Sequence, residues 1–155
     1  MQGNTHVIDA LNQVIRITLT SINQYFLHSK MLKNWGHSSI FEQEYCYAIA
    51  AMRVADRLIE RVLFLDGYPK AADVGYLHIG ENVMEILQCD LKLANRAAKI
   101  LLNAIATAEQ YTDFVTREFL ENILEAQERQ IDWIETQIDL TSSIGIPNYL
   151  QSNSQ

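Results

Sequence analysis

The chain has 155 residues, 48% of them hydrophobic and 20% charged, with a formal net charge of −7. That length and apolar content suit one core in a single domain. The acidic balance speaks against nucleic acid, whose binding rests on a dense basic surface. Cys46 and Cys89 are the only cysteines; they form no disulfide framework and no close metal or redox pair, and read as small buried hydrophobes. Met1 to Asp9 contain no basic stretch followed by an apolar run, so no export signal is expected and the cytoplasm is the default location. No run approaches the roughly 18 apolar residues of a membrane span.

Four long stretches carry apolar residues at helical spacing, and the spacing predicts an all-α bundle with helices over about 5–35, 39–66, 82–111 and 113–142. The first has an inner stripe of Ile8, Leu11, Ile15, Thr18, Ile22 and Tyr25, and Gly36 ends it. Ser38 or Ser39 is expected to cap the second, whose stripe is Phe41, Glu44, Ala48, Ala51, Ala55, Leu58 and Val62. The third follows Val83, Leu87, Leu91, Ala94, Ala98, Leu101 and Ile105. The fourth follows Thr116, Leu120, Ile123, Gln127, Gln130, Ile134 and Ile138. Pro147 opens a short fifth helix over about 147–152.

Tight turns at Gly36 and near Tyr111 make two antiparallel hairpins. Between them lie residues 67–80, broken by Gly67, Pro69, Gly75 and Gly80. A helix of about 27 residues is roughly 40 Å long, and about 14 extended residues span at most roughly 50 Å. The segment can therefore cross the full bundle, which is the ferritin-like topology. The second helix has a further apolar stripe of Tyr45, Ile49, Met52, Ile59 and Leu63, matched on the first by Leu19, Asn23 and Phe26. A helix apolar on two sides is either covered by a second copy across a two-fold axis or forms the edge of a larger core.

A di-iron bundle needs a Glu from each of two helices and a Glu-x-x-His pair from each of the others. None of His6, His28, His37 and His78 has an acidic residue three positions before it. The mid-bundle layer is Thr18, Ala51, Val54, Ala94, Gln127 and Gln130. Neutral side chains cannot balance two irons, and Ala and Val cannot ligate. Gln127 and Gln130 are expected to bond each other, Thr18 or a trapped water. Met52 is a gap-filling thioether or a soft ligand facing its own copy. Glu118, Glu121, Glu125, Glu128 and Glu135 form either a solvated face or the iron-gathering lining of a hollow shell. No serine or cysteine nucleophile has a recognisable base, and no catalytic residue is assigned.

Nine segments together resemble bacterioferritin over about residues 1–151. They are Ile22 to His28, Lys33 to Gly36, Glu44-Tyr45, Ala55 to Arg57, Ile59 to Arg61, Leu63 to Leu65, Ile79 to Glu81, Ile131 to Trp133 and Asn148 to Gln151. The resemblance implies a shell of about 24 chains built from two-fold dimers. It implies a stored ferric mineral and haem b at each dimer axis, held between two methionines. Met52 stands at that methionine position, and Leu19, Asn23, Phe26, Tyr45, Ile49, Ala55 and Ile59 stand where the family packs its haem. The six family ferroxidase ligands fall at Thr18, Ala51, Val54, Ala94, Gln127 and Gln130, so all are substituted. An inner-surface iron site falls at Cys46 and Ala50 and is also lost. Tyr25 and Trp133 match electron-transfer aromatics, Leu58 replaces a third, and the pores lie near Asn148 and Gln151.

The chain looks like the haem-bearing type that shares a shell with a ferroxidase-competent subunit. By the same resemblance, bacterioferritin-associated ferredoxin docks over Met31, Tyr68, Glu81 and Glu85, with Tyr68 departing from the usual aliphatic residue. A ferroxidase working from an unrecognised site and a purely structural shell subunit are the alternatives.

Overall fold

The structure, a computed structural model, describes residues 1–70 and 75–152. Its elements are α1 (Thr5–Asn34), α2 (Ser38–Phe64), α3 (Val83–Gln110), α4 (Phe114–Ile144) and α5 (Ile146–Ser152). Among the described residues there is no strand, and no helix is long and apolar enough to cross a membrane. Every glycine and both prolines lie outside the four long helices except at their ends, so nothing interrupts those ladders.

Local chemistry sets the helix ends. Asn4 caps α1 by accepting from the His6 and Val7 N–H groups, and Asn82 and Asp113 cap α3 and α4 in the same way. Gly36 stops α1 at φ +86°, where the His37 N–H reaches back to the Leu32 carbonyl at 3.0 Å. The α2 start differs from expectation. Ser38 and Ser39 lie inside the helix, and the cap residue is His37, whose side chain makes no capping bond. Gly36 turns the chain so tightly that the first helical position arrives one residue early.

α1 pairs with α2, α3 pairs with α4, and α1 also packs on α3. One end of the bundle is filled by Leu11, Ile15, Leu58, Val62, Leu101 and Leu120, the other by Leu32, Ile40, Ile86, Leu87 and Ile134. Each such buried aliphatic side chain contributes about 1.5–3 kcal/mol relative to exposure. Between these clusters a thinner apolar layer of Ile17, Tyr25, Ala48, Leu93 and Ala97 leaves room for polar groups. The cysteines depart from expectation: Cys46 is exposed and Cys89 half-buried in the chain.

The described part of the crossover lies along α1. Asn12 Nδ2 donates to the Tyr68 carbonyl at 3.0 Å, and Asn12 Oδ1 accepts the Lys70 N–H at 2.8 Å. Further on, Thr20 Oγ1 accepts from Gly75 N–H, Gln24 Oε1 from His78 N–H, and His28 Nε2 from Gly80 N–H, each at 3.1 Å. These α1 residues share one face, and residues 12 to 28 span about 24 Å of helix axis. The crossover therefore runs parallel to α1 and delivers α3 to the opposite end. Residues 71–74 of the expected crossover, and the tail beyond 152, lie outside the described residues.

Candidate functional site

Five of the six mid-bundle positions meet at one cavity. Thr18, Ala51, Val54, Gln127 and Gln130 line a space of about 280 Å³, together with Tyr25, Tyr47, Ala50, Ala97 and Ala126. The sixth, Ala94, offers its carbonyl, which accepts from Gln127 Nε2 at 3.2 Å. Gln127 thus bonds the α3 backbone rather than Gln130 or Thr18. Thr18 donates to the Val14 carbonyl at 2.7 Å and Ser21 to the Ile17 carbonyl at 2.9 Å. Both hydroxyls are satisfied inside α1, as buried helical Ser and Thr commonly are. Gln130 Nε2 and the Tyr25 hydroxyl are buried without partners.

Behind Tyr25 lies a fully buried polar cluster that spacing rules did not anticipate. Asp90 Oδ1 accepts from His28 Nδ1 at 2.8 Å and from Gln24 Nε2 at 2.9 Å. His28, Glu44 and Asp90 present atoms within 4.8 Å of one another. Burial, then the charge of Asp90 and a hydrogen bond to it, push the Glu44 carboxyl well above the usual range. Glu44 Oε2 and Asp90 Oδ2 otherwise lack partners. One proton held between the two carboxyls gives both a bond. His28 has no lone pair to spare, because Nε2 accepts from Gly80 and Nδ1 carries the proton aimed at Asp90. A cation held here would have to displace the Nδ1 and Glu44 protons and the Gly80 N–H. Burial, Asp90 and Glu44 together also hold the Tyr25 phenol well above its ordinary value, so it stays a donor. The Tyr149 phenol is pushed up to about 12, chiefly by burial, and donates to Gln137 Oε1 at 2.8 Å.

The signal for this cluster was present but weak. Glu44 sits on the inner stripe of α2, and Asp90 lies on α3 between the inner positions Leu87 and Leu91. A buried acid needs a partner, yet that partner, His28, stands 62 residues away in the chain.

The Met52 side chain is 53% exposed on the outward face of α2. Phe26 on α1 and Tyr45 and Leu63 on α2 are also exposed, Leu19, Ile49 and Ile59 are half-buried, and Asn23 is exposed. Ala55 is turned inward and buried. Phe26 and Phe41 tilt against Tyr45 with ring centroids 6.4 and 5.9 Å away, and the Lys30 ammonium lies 5.5 Å from both the Phe26 and Tyr45 centroids. Among the docking positions, Tyr68 is 84% exposed and Met31 half-buried. The Glu85 carboxylate accepts the Glu81 N–H at 2.8 Å. Glu118, Glu121, Glu125, Glu128 and Glu135 are all exposed along α4, where Glu121 pairs with Arg117 and Glu125 with Arg129.

A long-helix bundle with one crossover and a short terminal helix defines the ferritin-like class, and residues 8–144 match the ferritin-like domain family. The chain is 35% identical to a bacterioferritin of Brucella melitensis, covering 99% of this chain and 96% of that one. It is 37% identical to a bacterial ferritin of Pseudomonas aeruginosa, covering 98% and 99%. It is 36% identical to a bacterioferritin of Mycobacterium avium, covering 96% and 94%. The chain belongs to the bacterioferritin family.

Proposed function

We propose that this chain is a haem-binding subunit of a cytoplasmic iron-storage shell of about 24 chains, and that it has no di-iron ferroxidase centre of its own. The observation that carries the reading is Met52, a thioether 53% exposed at the middle of an uncovered apolar face. A second copy across a two-fold axis would cover that face and set a second Met52 opposite the first. Thioether sulfur is a known axial ligand of haem iron. Leu19, Phe26, Tyr45, Ile49 and Ile59 offer the apolar walls that a flat macrocycle needs, and Asn23 is an exposed polar neighbour, whereas Ala55 is buried within the chain and offers no surface to it. When bound, haem supplies a one-electron carrier between the outer surface and the stored ferric mineral.

The positions where the family holds iron carry neutral side chains here, and neutral side chains do not hold two irons. Oxidation of Fe(II) then falls to a ferroxidase-competent bacterioferritin subunit in the same shell, while this subunit serves storage and release. The exposed Tyr68, with Met31, Glu81 and Glu85, is the surface assigned to an electron-donating ferredoxin. The acidic face of α4, where Glu125, Glu128 and Asp132 line an open groove, gathers Fe(II) as cargo.

The test is an absorbance titration of purified shells with haem. Saturation at one haem for every two chains, with a bis-thioether spectrum, is the expected outcome. Shells that take up no haem would overturn the haem-binding role.

A further inference from the structure

The cavity at the neutral mid-bundle layer has its own chemistry. Four alanines, Ala50, Ala51, Ala97 and Ala126, stop at Cβ around it and leave about 280 Å³ empty of side chain. An engineered aliphatic cavity of about 150 Å³ in another protein holds benzene, so this one has room for a ring with a short substituent. Its walls are mainly aliphatic, with Val14, Val54, Leu101 and Ile123 among them. Ala50, Ala126 and Arg129 at its edge are exposed, which gives a way in.

The polar end is specific. The Tyr25 hydroxyl and Gln130 Nε2 are both buried and both without a partner. Gln130 and Ser21 lie close enough to the Tyr25 hydroxyl to act on it as polar neighbours, yet neither makes a well-directed hydrogen bond with it. Two buried donors without a well-directed bond leave a place for an acceptor oxygen between them, since buried donors left unmade are costly. The Asp90 carboxylate behind Tyr25 disfavours a ligand carboxylate, and the aliphatic walls disfavour any ion.

We propose that this cavity binds a small neutral molecule with an apolar ring and one carbonyl oxygen, the oxygen seated between Tyr25 and Gln130. The site needs neither haem nor iron, so it stands or falls apart from the storage reading.

Acetophenone is the probe, with ethylbenzene as its counterpart lacking the oxygen and benzoate as the charged control. Calorimetric titration of iron-free shells should find acetophenone binding and no benzoate binding. Ala51→Phe, which fills the cavity, should abolish acetophenone binding, and Ala126→Phe at the exposed mouth gives an independent block. Gln130→Leu should lower the acetophenone-to-ethylbenzene affinity ratio about tenfold, the worth of one oriented hydrogen bond. Absence of acetophenone binding to the unmodified shell would overturn the proposal. So would binding that survives both Phe substitutions. An affinity ratio unchanged by Gln130→Leu would overturn it too, and would mean that the amide turns its own oxygen to Tyr25.

Discussion

His28 and Asp90 form a fully buried pair, Nδ1 to Oδ1 at 2.8 Å, that ties α1 to α3 at the point where the crossover enters. The other ring nitrogen, Nε2, accepts the Gly80 N–H, so one imidazole joins two helices and the linker. Asp90 also faces Glu44, whose proton it helps to hold. A network of this kind is stabilising only while every member keeps its partner.

That dependence has a pH signature. The Glu44 pKa is raised in the folded chain above its ordinary 4.5. Its contribution is fully present below 4.5 and is lost as pH rises toward the folded value, because the unfolded chain releases the proton first. The loss reaches at most about 1.4 kcal/mol per pH unit. Glu44→Gln keeps a donor toward Asp90 but does not titrate. The thermal midpoint of the unmodified protein, measured against that of Glu44→Gln, should therefore fall as pH rises above 4.5 toward the raised folded value. Parallel curves would show that Glu44 is ionised in the fold and that the shared proton does not exist.

Gly80 tests the same junction sterically. A Cβ there would lie 2.4 Å from the Ile86 nitrogen and 2.7 Å from the Glu85 carbonyl carbon, both backbone atoms that cannot yield locally. Gly80→Ala should cost about 1–3 kcal/mol, as forced overpacking does. It should also displace the N–H that His28 accepts. A denaturation midpoint equal to that of the parent would mean the crossover re-enters α3 by another path.

Much of this fold could be read from residue spacing, and the exceptions share one cause. The helices lie within two residues of their expected ends because Gly36, Gly145 and the Asn and Asp caps act locally. The Ser38 and Ser39 cap failed for an equally local reason, the tightness of the Gly36 turn. The row Asn12, Thr20, Gln24 and His28 is not legible in the sequence because its partners are crossover backbone groups, and irregular backbone leaves no periodic trace. Spacing placed Thr18, Ala51, Val54, Gln127 and Gln130 in one layer, and they do line one cavity. It could not show that Gln127 would reach the Ala94 carbonyl, which depends on sub-ångström packing between α3 and α4.

The crossover row yields its own prediction. Asn12 is buried and gives the crossover two bonds, one to the Tyr68 carbonyl and one from the Lys70 N–H. Asn12→Ala removes both and should cost about 1–3 kcal/mol in local opening. Hydrogen exchange should quicken at the Lys70 amide while the α3 and α4 amides keep their protection. Unchanged exchange at Lys70 would show that the crossover is held by packing alone.

Met52→Ala bears on the haem reading. The side chain is more than half exposed and touches no core cluster, so the folded chain should change by no more than about 0.5 kcal/mol. Haem uptake, by contrast, should vanish if Met52 is the residue that would hold the haem iron, as proposed. Shells of the variant that retain haem with an unaltered spectrum would sink the ligand assignment. Variant shells that fail to assemble would show the thioether to be an interface anchor instead.

Restoring one acidic ligand tests the absence of a ferroxidase centre from the other direction. Gln127→Glu places a carboxylate beside the cavity, facing the Ala94 carbonyl that now accepts from the amide. Two like oxygens would then meet, so the new side chain must swing away or take up a proton. Thr18, Ala51, Val54, Ala94 and Gln130 remain neutral, and one carboxylate cannot balance two irons. The initial rate of Fe(II) oxidation by shells of this variant should equal that of the unmodified shell, and both should match a protein-free control. A fast, saturable rate in the variant alone would mean that the cavity already holds most of an iron site. A fast rate in both would place a ferroxidase site elsewhere, and the exposed carboxylates of α4 would be the first to remove.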